Sequence, residues 1–207
     1  MLFIDDQPLF WLPIIGSHLL FFSGLTLSSR LDNIDWRYLQ HSSYYIIPAA
    51  LIGVFGLLNL PNRWLLVFIY GVTLFYAAIW SLNLAIESRG KWVDRILLML
   101  GGYVAGTSLT GAPLMVAVYM RNVAKEQLRN TLFVLWFILV AIKMATFTLV
   151  GVDLHLREAL MLLPVAAIGH VIGLKTHHAI IHNDTLFKRW IGSGLLVVSS
   201  LGLWSLA

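Results

Sequence analysis

The chain has no cysteine among its 207 residues. That excludes a disulfide framework, a thiolate nucleophile and a cysteine-ligated metal. Charge is nearly as scarce: Asp, Glu, Lys and Arg make up 12% of the residues, against about 25% in an average soluble domain. There is no nucleotide-binding motif. A secretory leader is excluded as well, because Asp5 and Asp6 stand where a basic n-region belongs. The formal charge of +4 marks no nucleic-acid patch; the basic residues fall in short loops and are accounted for as orientation signals.

What fills the sequence instead is apolar, 59% of it. A helix crossing roughly 30 Å of hydrocarbon needs about 20 apolar residues. Seven segments meet that length: 8–29, 42–60, 62–85, 96–120, 130–150, 157–175 and 189–206. Lys143 is the one charged residue well inside any of them, and Trp11, Tyr44, Tyr45, Trp64, Trp92 and Trp190 sit near segment ends as interfacial anchors. The expected architecture is an all-α polytopic membrane protein, one transmembrane domain over 1–207. The bilayer is its first partner.

An internal repeat runs through it. Pro48 and Gly53 in "PAALIGVFG" match Pro164 and Gly169 in "PVAAIGHVIG". "NIDW" (33–36) and "GVDL" (151–154) precede them, and 62–85 echoes 187–207. Segments one to three thus correspond to five to seven, and segment four stands alone. Weak internal repeats are a mark of transporters, whose substrate sites lie where the repeats meet.

Segment four carries the stretch "GGYVAGTSLTGAPLM" (101–115), which breaks its own helix. If all seven segments crossed, the loops on the two sides would carry seven and six basic residues. If segment four enters and turns back, the split becomes eleven against two, which is what the positive-inside rule expects. The re-entrant reading also makes the repeat an inverted one and puts both termini on the outer side. Two half-helices, about 95–105 and 113–120, would meet at "GTSLTGAP", with Pro113 suited to the start of the second. Free N–H groups and the positive helix end there form an anion site. Thr107, Ser108, Thr110, Gly111, Ala112 and Pro113 are its candidate residues. The earlier Gly102–Gly106 pair is read as helix packing.

The run 101–144 resembles the second-half motif of the TauE/SafE family, sulfite and organosulfonate transporters also grouped as toluene-sulfonate uptake permeases. Its Gly-Gly-Pro element stands here as Gly111-Ala112-Pro113, and its Arg-Ala-Thr element as Arg129-Asn130-Thr131, with changes at Ala112 and Asn130. The resemblance covers essentially the whole chain. It implies a bacterial inner-membrane location and adds Asn130 and Thr131 to the substrate-binding candidates. The family has eight segments in two halves, each opening with a Gly-rich segment. By that pattern 1–85 is a truncated first repeat, "MLFIDDQPLF" is the connection after a missing first segment, and 96–207 is the second repeat.

Among polar residues at membrane depth, Lys143 is read either as a substrate or coupling charge or as a snorkelling side chain. His18 and His170 are coupling candidates, since imidazole titrates near physiological pH. His177, His178 and His182 in "THHAIIH" suggest a membrane metalloenzyme, but such enzymes need several boxes and this is the only cluster, so neither enzyme, metal nor cofactor is expected. A non-transporting structural or assembly subunit is the other alternative, and a homo-oligomer is left open. The reading favoured is a secondary, ion- or proton-coupled transporter of a small anion, sulfite or an organosulfonate, working by alternating access.

Overall fold

The computed structural model describes residues 7–28, 33–84, 86–108, 111–180 and 184–206. All its elements there are helices: α1 (Pro8–Ser28), α2 (Trp36–Asn59), α3 (Asn62–Ser81), α4 (Lys91–Ser108), α5 (Ala112–Asn122), α6 (Lys125–Leu149), α7 (Leu156–Ile180) and α8 (Asp184–Leu206). Among the described residues, four helices are long and apolar enough to cross a membrane: α1 over Pro8–Leu25, α2, α3 and α6. The apolar segment 96–120 is not one helix but two, α4 and α5. Pro13, Pro48 and Pro164 lie inside helices, a placement that membrane helices tolerate because neighbours take up the freed carbonyls.

The helices fall into two compact units. One spans Leu9–Pro61 and Ile86–Leu154 and holds α1, α2, α4, α5 and α6; the described part of the other holds α3, α7 and α8. Each unit draws on both halves of the sequence repeat.

In the first unit, α2 begins six residues before its apolar run. Asp35 explains the extension. Its carboxylate accepts from the Tyr38 N–H at 2.8 Å, capping the helix, while its own N–H donates to Thr131 Oγ1 on α6 at 3.0 Å.

Glycines then bring α2 and α4 together backbone to backbone. A methyl group added at Gly102 would lie 2.5 Å from the Ile46 carbonyl oxygen; at Gly106 it would strike the Ala50 carbonyl, and at Gly53 the Tyr103 carbonyl. Helices in lipid gain little from apolar burial against one another, so close van der Waals approach holds them. The Gly102–Gly106 pair is used as expected. α1 runs antiparallel to α6, with Gly16 beside Met144 and Gly24 beside Phe137.

In the second unit, α3 and α8 are antiparallel. Gly192 lies against Ala77 and Ser81, and Gly202 against the Tyr70 ring. Ala159 is the one buried residue among the described side chains of α7. The sequence-matched glycines therefore differ in use. Gly53 touches backbone, whereas nothing lies within 4 Å of a methyl group placed at Gly169.

Candidate functional site

The site is built where α4 stops and α5 starts. α4 ends at Ser108 and α5 begins at Ala112. Gly111 caps α5 with φ −68° and ψ −1°, an ordinary right-handed conformation. Glycine is needed there for space rather than for a left-handed turn. A methyl group at Gly111 would strike the Gly101 carbonyl oxygen and come within 2.7 Å of the Ala105 nitrogen. The chain thus folds straight back onto α4, and Met115 of α5 packs beside Gly101. The close approach expected for a ligand at Gly111 is taken by α4's own backbone.

The open end of this hairpin is tied by polar groups. Arg121 Nη1 lies 3.3 Å from Asp94 Oδ2 and 3.4 Å from Oδ1. It also lies 3.4 Å from Ser88 Oγ. Ser88 donates to Asp94 Oδ1 as well, and Asn122 Nδ2 donates to Asp94 Oδ2 at 3.3 Å. Loops 86–90 and 123–124 therefore leave from the same end. From Asp94 to Ser108, α4 rises about 21 Å, short of the roughly 30 Å of a hydrocarbon core. One flank of the tie is braced by α2, where Ser42 Oγ and Tyr119 OH are 2.5 Å apart and the Tyr38 ring packs edge-on against Tyr119 at 5.1 Å.

Thr107 and Ser108 are buried at the break, but their hydroxyl protons are committed. Thr107 Oγ1 donates to the Tyr103 carbonyl at 2.9 Å and the Gly53 carbonyl at 3.2 Å; Ser108 Oγ donates to the Val104 carbonyl at 3.0 Å. These hydroxyls are turned to backbone carbonyls of α4 and α2. Thr110 lies outside the described residues, as does the side chain of Ala112. Pro113 occupies the second rather than the first position of α5, where an N–H would still find no partner within the helix. The cap residue Gly111 has no side chain to bond the first turn of α5.

Asn130 is half-buried on α6. Thr131 is buried and spans two helices, donating to the Gln127 carbonyl at 2.7 Å and accepting from the Asp35 N–H. It serves as a joint between α6 and α2. Lys143 is enclosed, 1% exposed, and its Nζ has no hydrogen-bond partner among the described residues. It does not snorkel.

Two contacts set its depth. Thr131 meets Asp35, and Ile138 shares with Ile47 and Pro48 a groove of about 650 Å³ between α2 and α6. α2 and α6 are therefore parallel, and counted from the Thr131–Asp35 contact Lys143, twelve residues further on, stands about level with Ile47, whose neighbour Ile46 meets Gly102 of α4. No sequence-selected site residue lines that groove. His18 lies two residues beyond Gly16, the neighbour of Met144, so it is about level with Lys143. His170 is on α7, in the other unit. The side chains of His177, His178 and His182 lie outside the described residues, and among those described no cluster of three or more His, Asp or Glu residues could hold a metal ion.

Asp94 and Arg121 were overlooked in the sequence because each looked like a loop charge. Asp94 lies 14 residues before the last residue of α4 and Arg121 nine after the first of α5, so their pairing appears only in the folded hairpin.

Known proteins bear on this hairpin through one match. The model of the family described as sulfite exporter TauE/SafE matches residues 14–202, while no curated protein and no solved structure matches. A match that takes in the hairpin, both compact units and all but the ends of the chain makes this protein a member of the TauE/SafE sulfite exporter family.

Proposed function

We propose that the chain moves sulfite or an organosulfonate across the bacterial inner membrane as an ion- or proton-coupled secondary transporter. Family membership makes it a multi-pass membrane transporter for an anion, and not an enzyme; the substrate, the coupling and the route are the proposal. In this reading six of the seven segments cross, α4 and α5 form a re-entrant hairpin from the cytoplasmic side, and the repeat is inverted. Substrate meets the first turn of α5, at Ala112 and Pro113, with Lys143 supplying positive charge, while Gly111, closed against α4, positions that turn. Thr107 and Ser108 shape the break and Thr131 seats the α6 end against α2, while Thr110 and Asn130 remain further substrate-binding candidates.

The observation that carries this reading is Lys143. A lysine at membrane depth costs about 2.5–3.5 kcal/mol even on insertion scales. A buried lysine whose Nζ finds no acceptor among the described residues is stabilised in its charged form by a bound anion. The start of α5, in the same unit, adds a helix dipole that also favours negative charge. His18 on α1, at a depth similar to that of Lys143, is the coupling candidate in the same unit, and His170 the one on α7.

The test is flux. Lys143→Met keeps the apolar stem and removes the charge. Uptake of sulfite into proteoliposomes, normalised to inserted protein, is expected to fall at least tenfold, with unchanged or higher thermal stability because the desolvation cost is gone. Lys143→Arg is expected to recover only part, since guanidinium and ammonium differ in shape and hydration. Undiminished flux in the Met variant would remove Lys143 from the mechanism.

A further inference from the structure

We infer that Arg121 is an oxyanion-binding residue at the mouth of the hairpin, held in check by Asp94, and that an entering anion competes with Asp94 for it. The inference rests on the transport reading for its ligand, a small oxyanion such as sulfite or a sulfonate, but on a different part of the molecule.

The geometry of the pair suggests it. An Arg–carboxylate pair at full strength is a fork, with two parallel N–H···O bonds of about 2.7–2.9 Å. Here one nitrogen, Nη1, makes every contact: Asp94 Oδ2 at 3.3 Å, Asp94 Oδ1 at 3.4 Å and Ser88 Oγ at 3.4 Å. Asp94 is by contrast well supplied. Its side chain is 11% exposed and also accepts from Ser88 and Asn122. The carboxylate would keep two hydrogen bonds if Arg121 left it.

The Arg121 side chain is 40% exposed, and Nη2 and Nε, the edge that can grip two oxygens of one oxyanion, make no hydrogen bond among the described residues. Other basic residues near this face are occupied differently. Arg95 lies over the Trp92 and Tyr45 rings at 5.1 and 5.7 Å, and Arg129 over the Phe133 ring at 5.7 Å. Arg89, in the loop before α4, is paired with Glu87 at 3.4 Å and 82% exposed; Arg121 is thus a guanidinium held at the hairpin's open end with a fork to offer. Because the same guanidinium ties α5 to α4, capture of an anion there loosens the base of the hairpin as the substrate arrives.

Sulfite and methanesulfonate binding to the purified full-length protein in detergent tests this, with thermal stability read in parallel. Arg121→Gln is expected to weaken binding at least tenfold, with Arg121→Lys intermediate because it restores charge without the fork. Asp94→Asn keeps the side chain's size and removes the competing charge, so it is expected to tighten binding several-fold even though it lowers stability.

Opposite signs at the two positions are the signature. A purely structural tie would lower stability in both variants and shift affinity the same way in both, or not at all, and either result overturns the inference. The Lys143→Met variant separates this site from the deeper one. If Lys143→Met loses anion binding while Arg121→Gln keeps it, the mouth site falls and the transport reading stands. If the wild-type protein binds neither anion, both fall.

Discussion

At the scale of single residues, Gly111 shows how different reasons for a glycine lead to different expectations. Read from the sequence, it leaves room for a ligand, and a larger residue there would block transport without disturbing the fold. In the folded chain that room is filled by the Gly101 carbonyl and the Ala105 nitrogen. Even Gly111→Ala must then push α5 off α4. Overpacking of this kind costs about 1–3 kcal/mol, so a lower unfolding temperature in detergent is expected together with lost flux. An alanine variant with wild-type thermal stability would show that the hairpin can open at no cost, contrary to this geometry. Lys143 is the reverse case. Its substitution relieves a burial cost and so separates activity from stability in the other direction.

At the scale of helices, the sequence showed where the apolar runs lie and where one of them breaks. The break fell where expected because Gly, Thr, Ser and Pro at 106–113 act locally, through backbone space and a missing N–H. The start of α2 was placed six residues late, because a cap made by Asp35 and braced by Thr131 joins positions 96 residues apart. The Asp94–Arg121 tie was missed for the same physical reason: it exists only once the hairpin has formed. The α2–α4 contact was legible on one side, in Gly102 and Gly106, but not the identity of its partner. It can be tested at Gly106. Gly106→Val sets a branched side chain against the Ala50 carbonyl and is expected to destabilise the protein by several kcal/mol, since main chain cannot step aside as a side chain can. The same change at Gly169, where α7 offers open space, is expected to be nearly neutral for packing. Thermal unfolding of the two variants side by side makes the comparison, and equal losses would contradict the described contact.

At the scale of the whole molecule, the proposed re-entrant topology draws on both the charge count and the hairpin. Eleven basic residues fall on one side only if segment four turns back, and Asp94 meets Arg121 only if it does so. Single cysteines at Glu87 and Ala124, in a chain with none of its own, are therefore expected to react with an impermeant reagent from the same, cytoplasmic face. Labelling from opposite faces would mean that α4 and α5 cross as one span. The α2–α4 contact carries a further consequence, for descent rather than for packing. Where two side chains meet, a change on one can be answered by a change on the other, and an interface can wander over generations while staying closed. Where glycine meets carbonyl, as Gly102, Gly106 and Gly53 do, nothing on the far side can be shortened in reply. Such a seam admits no compensating partner, so the chain's freedom to vary lies elsewhere.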